Sequence, residues 1–204
     1  MDDLARATAA VNRALRERDE NTSAHSGRTC CLALETGQAC GLSPDDLATL
    51  KLAAELHDVG KIGIPDRVLL KPGPLDDEEW EVMQTHAALG AGMLADSRTD
   101  LLQLAEIVAR THHERWDGSG YPAGLAGEDI PLAGRICTIA DVFDALTSWR
   151  PYKEAWPVSE ALAEIRRQSG RQFDPALVEA FLELFPEEAA AVLAEDAAVP
   201  VAAG

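Results

Sequence analysis

The residues of this sequence best suited to chemistry are its five histidines: His25, His57, His86, His112 and His113. His57 is followed directly by Asp58, and the last two histidines are adjacent and lead into a glycine-rich segment. A neutral imidazole beside a carboxylate is a good ligand pair for a borderline divalent metal. A single histidine on a helix is more often structural or exposed. The joint pattern therefore favours a metal site where no single histidine would.

The adjacent pairs at 57–58 and 112–113 restrict where such a site can lie. Neighbouring residues on a helix point about 100° apart, so each pair can converge only near a helix end or across two neighbouring metals. Gly60 follows the first pair, and Gly118 and Gly120 follow the second. Glycines at these points indicate helix ends.

A further carboxylate ligand is available in the apolar segment 139–146, which contains Asp141 and Asp144. A buried carboxylate costs several kcal/mol unless it is paired or bound to metal. A salt bridge to an arginine is the alternative explanation for either residue. Counted together with the histidines, Asp141 is the stronger candidate ligand.

Helix signals run through most of the chain and must position these side chains. The segment 3–20 is rich in strong helix formers, and Ser43-Pro44 begins a helix that carries His57 on or near the same face as Leu47, Leu50 and Ala54. Asp76 and Glu79 form a capping box, with Leu75 and Trp80 as a hydrophobic staple. Further helices are predicted over 76–94, from Thr99 or Asp100 past Val108, and over 133–148, 159–168, 174–185 and 187–197. A loop is predicted over 114–130. Because no strand pattern is present, we expect an all-α single domain of about eight or nine helices.

Composition excludes several classes of function. The 204 residues include 35 acidic and 18 basic side chains, a net charge of −17, which argues against binding bulk nucleic acid or an anionic membrane. No apolar stretch is long enough for a spanning helix, and no signal peptide is present, so we expect a soluble cytoplasmic protein. The four cysteines contain no CxxC pair, and we interpret them as buried thiols.

Two motifs resemble one known family. The run His57-Asp58-Val59-Gly60-Lys61, with the run from His112-His113-Glu114 through Gly120-Tyr121-Pro122, is similar to the HD-GYP domain, a branch of the HD phosphohydrolase superfamily. The resemblance covers about residues 12–185 and includes 71–73, 147–153 and 173–175. The first motif alone is moderately specific, because many HD hydrolases carry it. The second motif is long and rarely arises by chance. The resemblance implies an HD-type helical bundle.

Members of this family hydrolyse cyclic di-GMP at a centre of two or three metals, iron commonly and manganese in some. By resemblance, one metal has the ligands His25, His57, Asp58 and Asp141, and a second has His86, His112 and His113, with Asp58 bridging. The resemblance thus implies a bacterial signalling hydrolase. A hydroxide shared by the metals would convert cyclic di-GMP to linear pGpG, and further conversion to GMP is the alternative.

The resemblance also implies substrate contacts. Lys61 matches a position that contacts the scissile phosphate and joins Asp58 as a catalytic residue, while Arg150 and Lys153 match positions that hold phosphates. Tyr121 either packs against a guanine or orders its loop. Asp144 orients either a ligand histidine or a substrate-binding base. We interpret the segment 114–116 as loop structure or a partner surface.

Two positions depart from the family pattern. Members with three metals carry a glutamate four residues before the first histidine, where this chain has Asn21. Because Asn is a weak neutral ligand, we expect two metals and a product bias toward pGpG. Trp149 stands where the family often has Asp, beside the predicted phosphate contacts.

Two other readings stay open: a different HD-superfamily nucleotide phosphohydrolase, or a catalytically silent module that binds a cyclic dinucleotide or a partner protein. The predicted organisation is an N-terminal helix over 1–20 for signalling or homodimerisation, a catalytic domain over 21–186, and an acidic Ala-rich helix and tail over 187–204. The GYP loop is a candidate docking surface for signalling proteins.

Overall fold

The fold was analysed in a computed structural model, which describes residues 3–18, 20–149 and 154–190. Within these ranges the helices are α1 (Asp3–Arg18), α2 (Glu20–Ala39), α3 (Pro44–Glu55), α4 (Asp66–Leu69), α5 (Asp77–Leu94), α6 (Asp100–Thr111), α7 (Leu132–Thr147), α8 (Val158–Arg167) and α9 (Pro175–Leu182). Short 3₁₀ turns cover Val59–Gly63 and Gly127–Asp129, and residues 186–190 are also helical. No β-strand occurs among the described residues, which confirms the predicted all-α single domain.

The helix starts lie where local capping signals predicted them. Ser43 caps α3, with Pro44 at the first helical position. The capping box of Asp76 and Glu79 is formed at the start of α5. Thr99 caps α6 through its side chain. Each cap satisfies backbone N–H groups that have no partner within the helix.

Helix α2 was not predicted, since no local signal indicated an element over residues 21–42. Its segment contains Ser, Gly, Thr and Asn, which are weak helix formers. The helix packs against α3 and α7, and Ala33, Thr29 and Thr36 on it are fully buried. Tertiary packing therefore overrides local propensity here. This helix carries His25.

Helix α7 lies at the centre of the fold. Ile136 and Ala140 on this helix belong to one core cluster with α3 and α6, and Ile139 and Phe143 belong to a second cluster with α8 and α9. The crossing with α6 is close, because a Cβ on Gly134 would lie 2.2 Å from the side-chain oxygen of Thr111. Helix α7 thus packs closely against α6, and it carries the half-buried Asp141 and the buried Asp144.

None of the helices among residues 3–18, 20–149 and 154–190 is long and apolar enough to cross a lipid bilayer. The part of the predicted 187–197 helix beyond residue 190 lies outside the described residues, as does the remaining tail.

Candidate metal centre

Five elements bring the histidines and two aspartates into one buried region. His25 comes from α2, and the pair 57–58 follows the end of α3. His86 lies on α5, and the pair 112–113 begins at the C-cap of α6. Asp141 lies on α7. Both adjacent pairs therefore lie at helix ends, one of the two arrangements that their spacing allowed.

One group of candidate ligands contains Asp58, His86, His112 and His113, whose ligand atoms all lie within 4.8 Å of one another. Asp58 Oδ1 is 3.4 Å from His86 Nε2 and 3.8 Å from His112 Nε2. His86 Nε2 is also 3.1 Å from His113 Nε2. Three imidazoles and one carboxylate thus face one point.

A second group contains His25, His57 and Asp141, within the same 4.8 Å limit. His25 Nε2 is 2.8 Å from Asp141 Oδ1. Asp58 connects the two groups, because its Oδ2 is 3.3 Å from His57 Nε2 while its Oδ1 faces the first group. This is the same division of ligands, with the same shared aspartate, that the resemblance implied.

Hydrogen bonds to the far side of each ring set the orientation of four histidines. The Nδ1–H of His57, His86 and His112 donates to the carbonyl oxygen three residues earlier in the chain, at 2.7, 2.7 and 3.0 Å. His25 Nδ1 lies 2.6 Å from Asp144 Oδ2. When Nδ1 carries the proton, the Nε2 lone pair faces the centre, which is the tautomer that metal-ligating histidines need.

Two observations indicate that the centre is built for cations. His57 Nε2 is buried and has no hydrogen-bond partner among the described residues. His86 Nε2 and His112 Nε2 lie 3.3 Å apart, although each ring already donates through Nδ1. Two lone pairs at this distance repel each other unless a cation lies between them. Imidazole and carboxylate donors without a thiolate suit divalent metals such as iron or manganese, so the residues present fit metal binding.

The electrostatics keep the carboxylates ionised. Burial alone would raise the pKa of Asp58, but the ammonium of Lys61 and the ring of His57 hold this pKa well below its usual value. Burial acts in the same direction on Asp141, whose pKa is lowered by its hydrogen bond to His25. Both carboxylates are therefore available as anionic ligands at neutral pH.

The histidines differ in the direction in which their surroundings shift the pKa. Burial lowers the pKa of His86 to about 4 and also lowers that of His113, so both rings are neutral at pH 7. Burial lowers the pKa of His25 as well, but hydrogen bonds to Asp141 and Asp144 outweigh it and raise the value to about 9. A metal ion at this group would have to displace the proton of His25.

Lys61 and Asp144 contact the ligands. Lys61 Nζ lies 2.5 Å from Asp58 Oδ2 within the 3₁₀ turn. Asp144 contacts His25 and accepts from Arg28 Nε at 2.5 Å. Of the two roles predicted for Asp144, orientation of a ligand histidine is the one that these contacts favour. Arg28 was not identified from the sequence, because nothing local connects it with a residue 116 positions away.

A cleft of about 340 Å³ opens beside His112 and His113. Its lining includes Trp80, Gln84, Arg115 and Tyr121. The ring of Tyr121 stacks on His113, with centroids 4.7 Å apart, and Trp80 packs edge-on against Tyr121. Trp80 was interpreted only as a staple residue, yet 48% of it is exposed.

Buried Glu114 anchors the glycine-rich loop, because its carboxylate accepts hydrogen bonds from the backbone N–H groups of Ala123 and Leu125. Gly120 has no room for a side chain, since a Cβ would lie 2.4 Å from the backbone nitrogen of Arg115. These contacts agree with the interpretation of Glu114 as part of the loop structure.

Three predicted positions are not placed. Arg150, Lys153 and the side chain of Asn21 lie outside the described residues. Trp149 is 67% exposed at the end of α7.

A family model described as "HD domain" matches residues 9–177. The chain is 50% identical over 170 residues to the cyclic di-GMP phosphodiesterase response regulator RpfG of Xanthomonas campestris pv. campestris, covering 83% of this chain and 45% of that protein. It is 46% identical over 174 residues to the 3'3'-cGAMP-specific phosphodiesterase 2 of Vibrio cholerae, covering 85% of this chain and 33% of that protein. The chain thus spans less than half the length of either relative.

Among solved structures, Bd1817, an HDG"Y"P protein from Bdellovibrio bacteriovorus, matches with a TM-score of 0.67 and 22% identity. The match covers 81% of this chain and 52% of the other. At this identity the likeness shows the fold alone.

Proposed function

The chain belongs to the HD domain family, in its HD-GYP branch, and we propose that it is a metal-dependent phosphodiesterase that hydrolyses cyclic di-GMP to linear pGpG. The observation that carries the proposal is the pair of ligand groups joined by Asp58 beside a cleft walled by the GYP loop. The relatives named cyclic di-GMP phosphodiesterases support the choice of substrate.

We assign His25, His57 and Asp141 to one metal and His86, His112 and His113 to another, with Asp58 shared between them. When bound, divalent ions supply Lewis acidity that offsets phosphate charge and lowers the pKa of water so that it can act as a nucleophile. The backbone and carboxylate acceptors at Nδ1 keep the ligand rings in place.

The chain's own residues bind and orient the substrate. Lys61 holds its ammonium against Asp58 and places a positive charge at the edge of the centre, suited to a phosphate of the dinucleotide. Tyr121 and Trp80 offer aromatic faces to a base. From the resemblance, Arg150 and Lys153 add charges that hold the phosphates, with Arg150 capable of a bidentate contact.

Two metals, iron or manganese, are proposed rather than three, because Asn21 replaces the anionic ligand of three-metal members. This predicts pGpG as the main product. Metal analysis of anaerobically prepared protein measures the count. Three tightly bound metals per chain would contradict it.

A second candidate substrate is 3'3'-cGAMP, because the chain is 46% identical to a relative named as specific for that cyclic dinucleotide. The two substrates differ in one purine base. Direct competition between them, followed by chromatography of both linear products, measures the preference of this chain.

The proposed setting is bacterial second-messenger signalling in the cytoplasm. We propose residues 1–20 as a signalling or dimerisation helix, 21–186 as the catalytic domain and 187–204 as an acidic terminal helix and tail. The GYP loop is the proposed docking surface for signalling proteins.

The test is anaerobic turnover of cyclic di-GMP with iron or manganese, comparing the wild-type protein with Asp58→Ala. Because Asp58 connects both ligand groups, we expect the variant to lose metal and turnover together. Asp129→Ala, at an exposed aspartate, is the matched control and should keep both. Full turnover by Asp58→Ala would refute the proposed site. Binding of cyclic di-GMP by wild-type protein without hydrolysis would favour the silent module instead.

A further inference from the structure

Arg18, the last residue of helix α1, reaches across to the turn that follows Asp58. Its Nη1 donates to the carbonyl oxygens of Lys61, at 3.2 Å, and Ile62. Its Nη2 donates to the carbonyl oxygen of Ile64 and, at 2.7 Å, to Asp66 Oδ1. One guanidinium therefore binds three carbonyls and a carboxylate of a segment more than 40 positions away in the sequence.

The carbonyl oxygens that accept from Arg18 lie at and just after the C-terminal end of a 3₁₀ turn. The 3₁₀ turn Val59–Gly63 ends there, and the carbonyl oxygen of Lys61 accepts from the backbone N–H of Ile64 as well as from Arg18. Carbonyl groups at the end of a helical turn can accept hydrogen bonds from side chains. They also carry partial negative charge that a cation stabilises. A planar guanidinium can satisfy several of them at once, which an ammonium cannot do in the same geometry.

The same turn also packs closely against α5. A Cβ on Gly60 would lie 1.9 Å from the carbonyl oxygen of His86, so the two backbones are in direct contact. The turn is thus held between α5, which carries His86, and the end of α1. Among the described residues, the side-chain hydrogen bonds of the second support come from Arg18.

The turn leads directly to the metal centre. Lys61, whose carbonyl accepts from Arg18, places its own Nζ 2.5 Å from Asp58 Oδ2. Asp58 in turn faces both ligand groups. A continuous path of contacts therefore runs from the end of α1 to the residues proposed to act on substrate.

We propose that Arg18 is a positioning residue through which helix α1 sets the location of Lys61 relative to Asp58, and that a displacement of α1 changes turnover through this contact. The proposal rests on the proposed phosphodiesterase function and adds its route of regulation. It gives the N-terminal helix a specific connection to the reaction.

The experiment compares wild-type protein with Arg18→Ala and Arg18→Lys, and with Arg13→Ala as a control at an exposed arginine of the same helix. We expect Arg18→Ala to lower kcat for cyclic di-GMP roughly tenfold with metal content per chain unchanged, because a misplaced Lys61 costs rate. Arg18→Lys should recover part of the loss, and Arg13→Ala should behave as wild type.

The double variant with Lys61→Ala separates positioning from a general structural role. If Arg18 acts through Lys61, adding Arg18→Ala to Lys61→Ala should cost little further activity. An equal loss in both backgrounds would overturn the proposal. So would unchanged kcat in Arg18→Ala.

Hydrogen exchange gives a readout that does not need turnover. We expect the amides of residues 59–64 to exchange roughly tenfold faster in Arg18→Ala than in wild-type protein. Absence of cyclic di-GMP hydrolysis by the wild type would refute the proposed function while leaving this measurement intact. Unchanged exchange in this segment would refute the contact itself.

Discussion

Gly60 is the position at which a single methyl group should do the most damage to the metal centre. A Cβ there would lie 1.9 Å from the carbonyl oxygen of His86 and 2.4 Å from the backbone nitrogen of Gly90. Ordinary van der Waals contact begins at 3.4 Å, so the two backbones would have to separate by about 1.5 Å. Both obstacles are main-chain atoms, and no change of rotamer can relieve them.

This separation would move Asp58 and His86, two of the proposed ligands, away from each other. The turn that contains Gly60 follows Asp58, and helix α5 carries His86, whose Nε2 is 3.4 Å from Asp58 Oδ1. We expect Gly60→Ala to destabilise the protein by about 3 kcal/mol, at the upper end of overpacking costs. We also expect metal affinity to fall at least as far as when a ligand's supporting contacts are removed, roughly 10- to 100-fold.

The assay is thermal unfolding with and without Mn²⁺, combined with metal analysis per chain and hydrolysis of cyclic di-GMP. Gly92→Ala is the matched control, because Gly92 lies on the same helix α5 and a Cβ there would meet nothing within 4 Å. The control should gain up to about 1 kcal/mol from helix propensity. A Gly60→Ala protein with a full metal complement and an unchanged melting temperature would refute the packing argument.

Two further predictions concern the surroundings of the ligands. Asp144→Asn removes the charged acceptor 2.6 Å from His25 Nδ1, and we expect the affinity of the metal-free protein for Mn²⁺, measured by titration, to fall roughly 10- to 100-fold. Trp80→Ala removes an aromatic wall of the cleft, and we expect KM for cyclic di-GMP to rise roughly tenfold with little change in kcat, because stacking on a base contributes about 1–3 kcal/mol.

Each of these predictions has a clear contrary result. Wild-type affinity for Mn²⁺ in Asp144→Asn would mean that His25 does not depend on this carboxylate for its orientation. For the cleft, Trp156→Ala is the control, because Trp156 is partly exposed and not among the cleft's lining residues. An unchanged KM in Trp80→Ala, or an equal rise in Trp156→Ala, would remove Trp80 from the binding site.

The parts of the fold that local chemistry determines were predictable. The capping box at Asp76 and Glu79 is formed as expected, because its partners are three residues apart. The placement of the pairs 57–58 and 112–113 at helix ends was one of two arrangements that helix geometry allowed, and the glycines that follow each pair favoured it. Helix α2 was not predictable in this way, since its residues have weak propensity and packing against α3 and α7 stabilises it.

The candidate site likewise has features that the sequence could predict and features that it could not. The five histidines and Asp58 could be identified from motifs, whereas their supporting contacts could not. Arg28 meets Asp144 across 116 positions, and Arg18 meets the turn at 61–64 across more than 40. No sequence pattern connects residues that far apart, so only the three-dimensional arrangement reveals what positions His25 and Lys61.

The charge distribution explains how an acidic chain can bind an anionic substrate. The chain carries −17 in total, but within the centre Lys61 contacts Asp58, and Arg28 contacts Asp144. These pairs leave the site close to neutral before metal binds, while the chain as a whole carries a large negative charge. Divalent cations held by the proposed ligands would make the centre locally positive, because their charge exceeds that of the remaining carboxylate, Asp141. A small dinucleotide bound in the cleft would meet this positive field, whereas a long duplex would also meet the net negative charge of the chain. The acidic composition therefore argues against binding of bulk nucleic acid but not against binding of a cyclic dinucleotide.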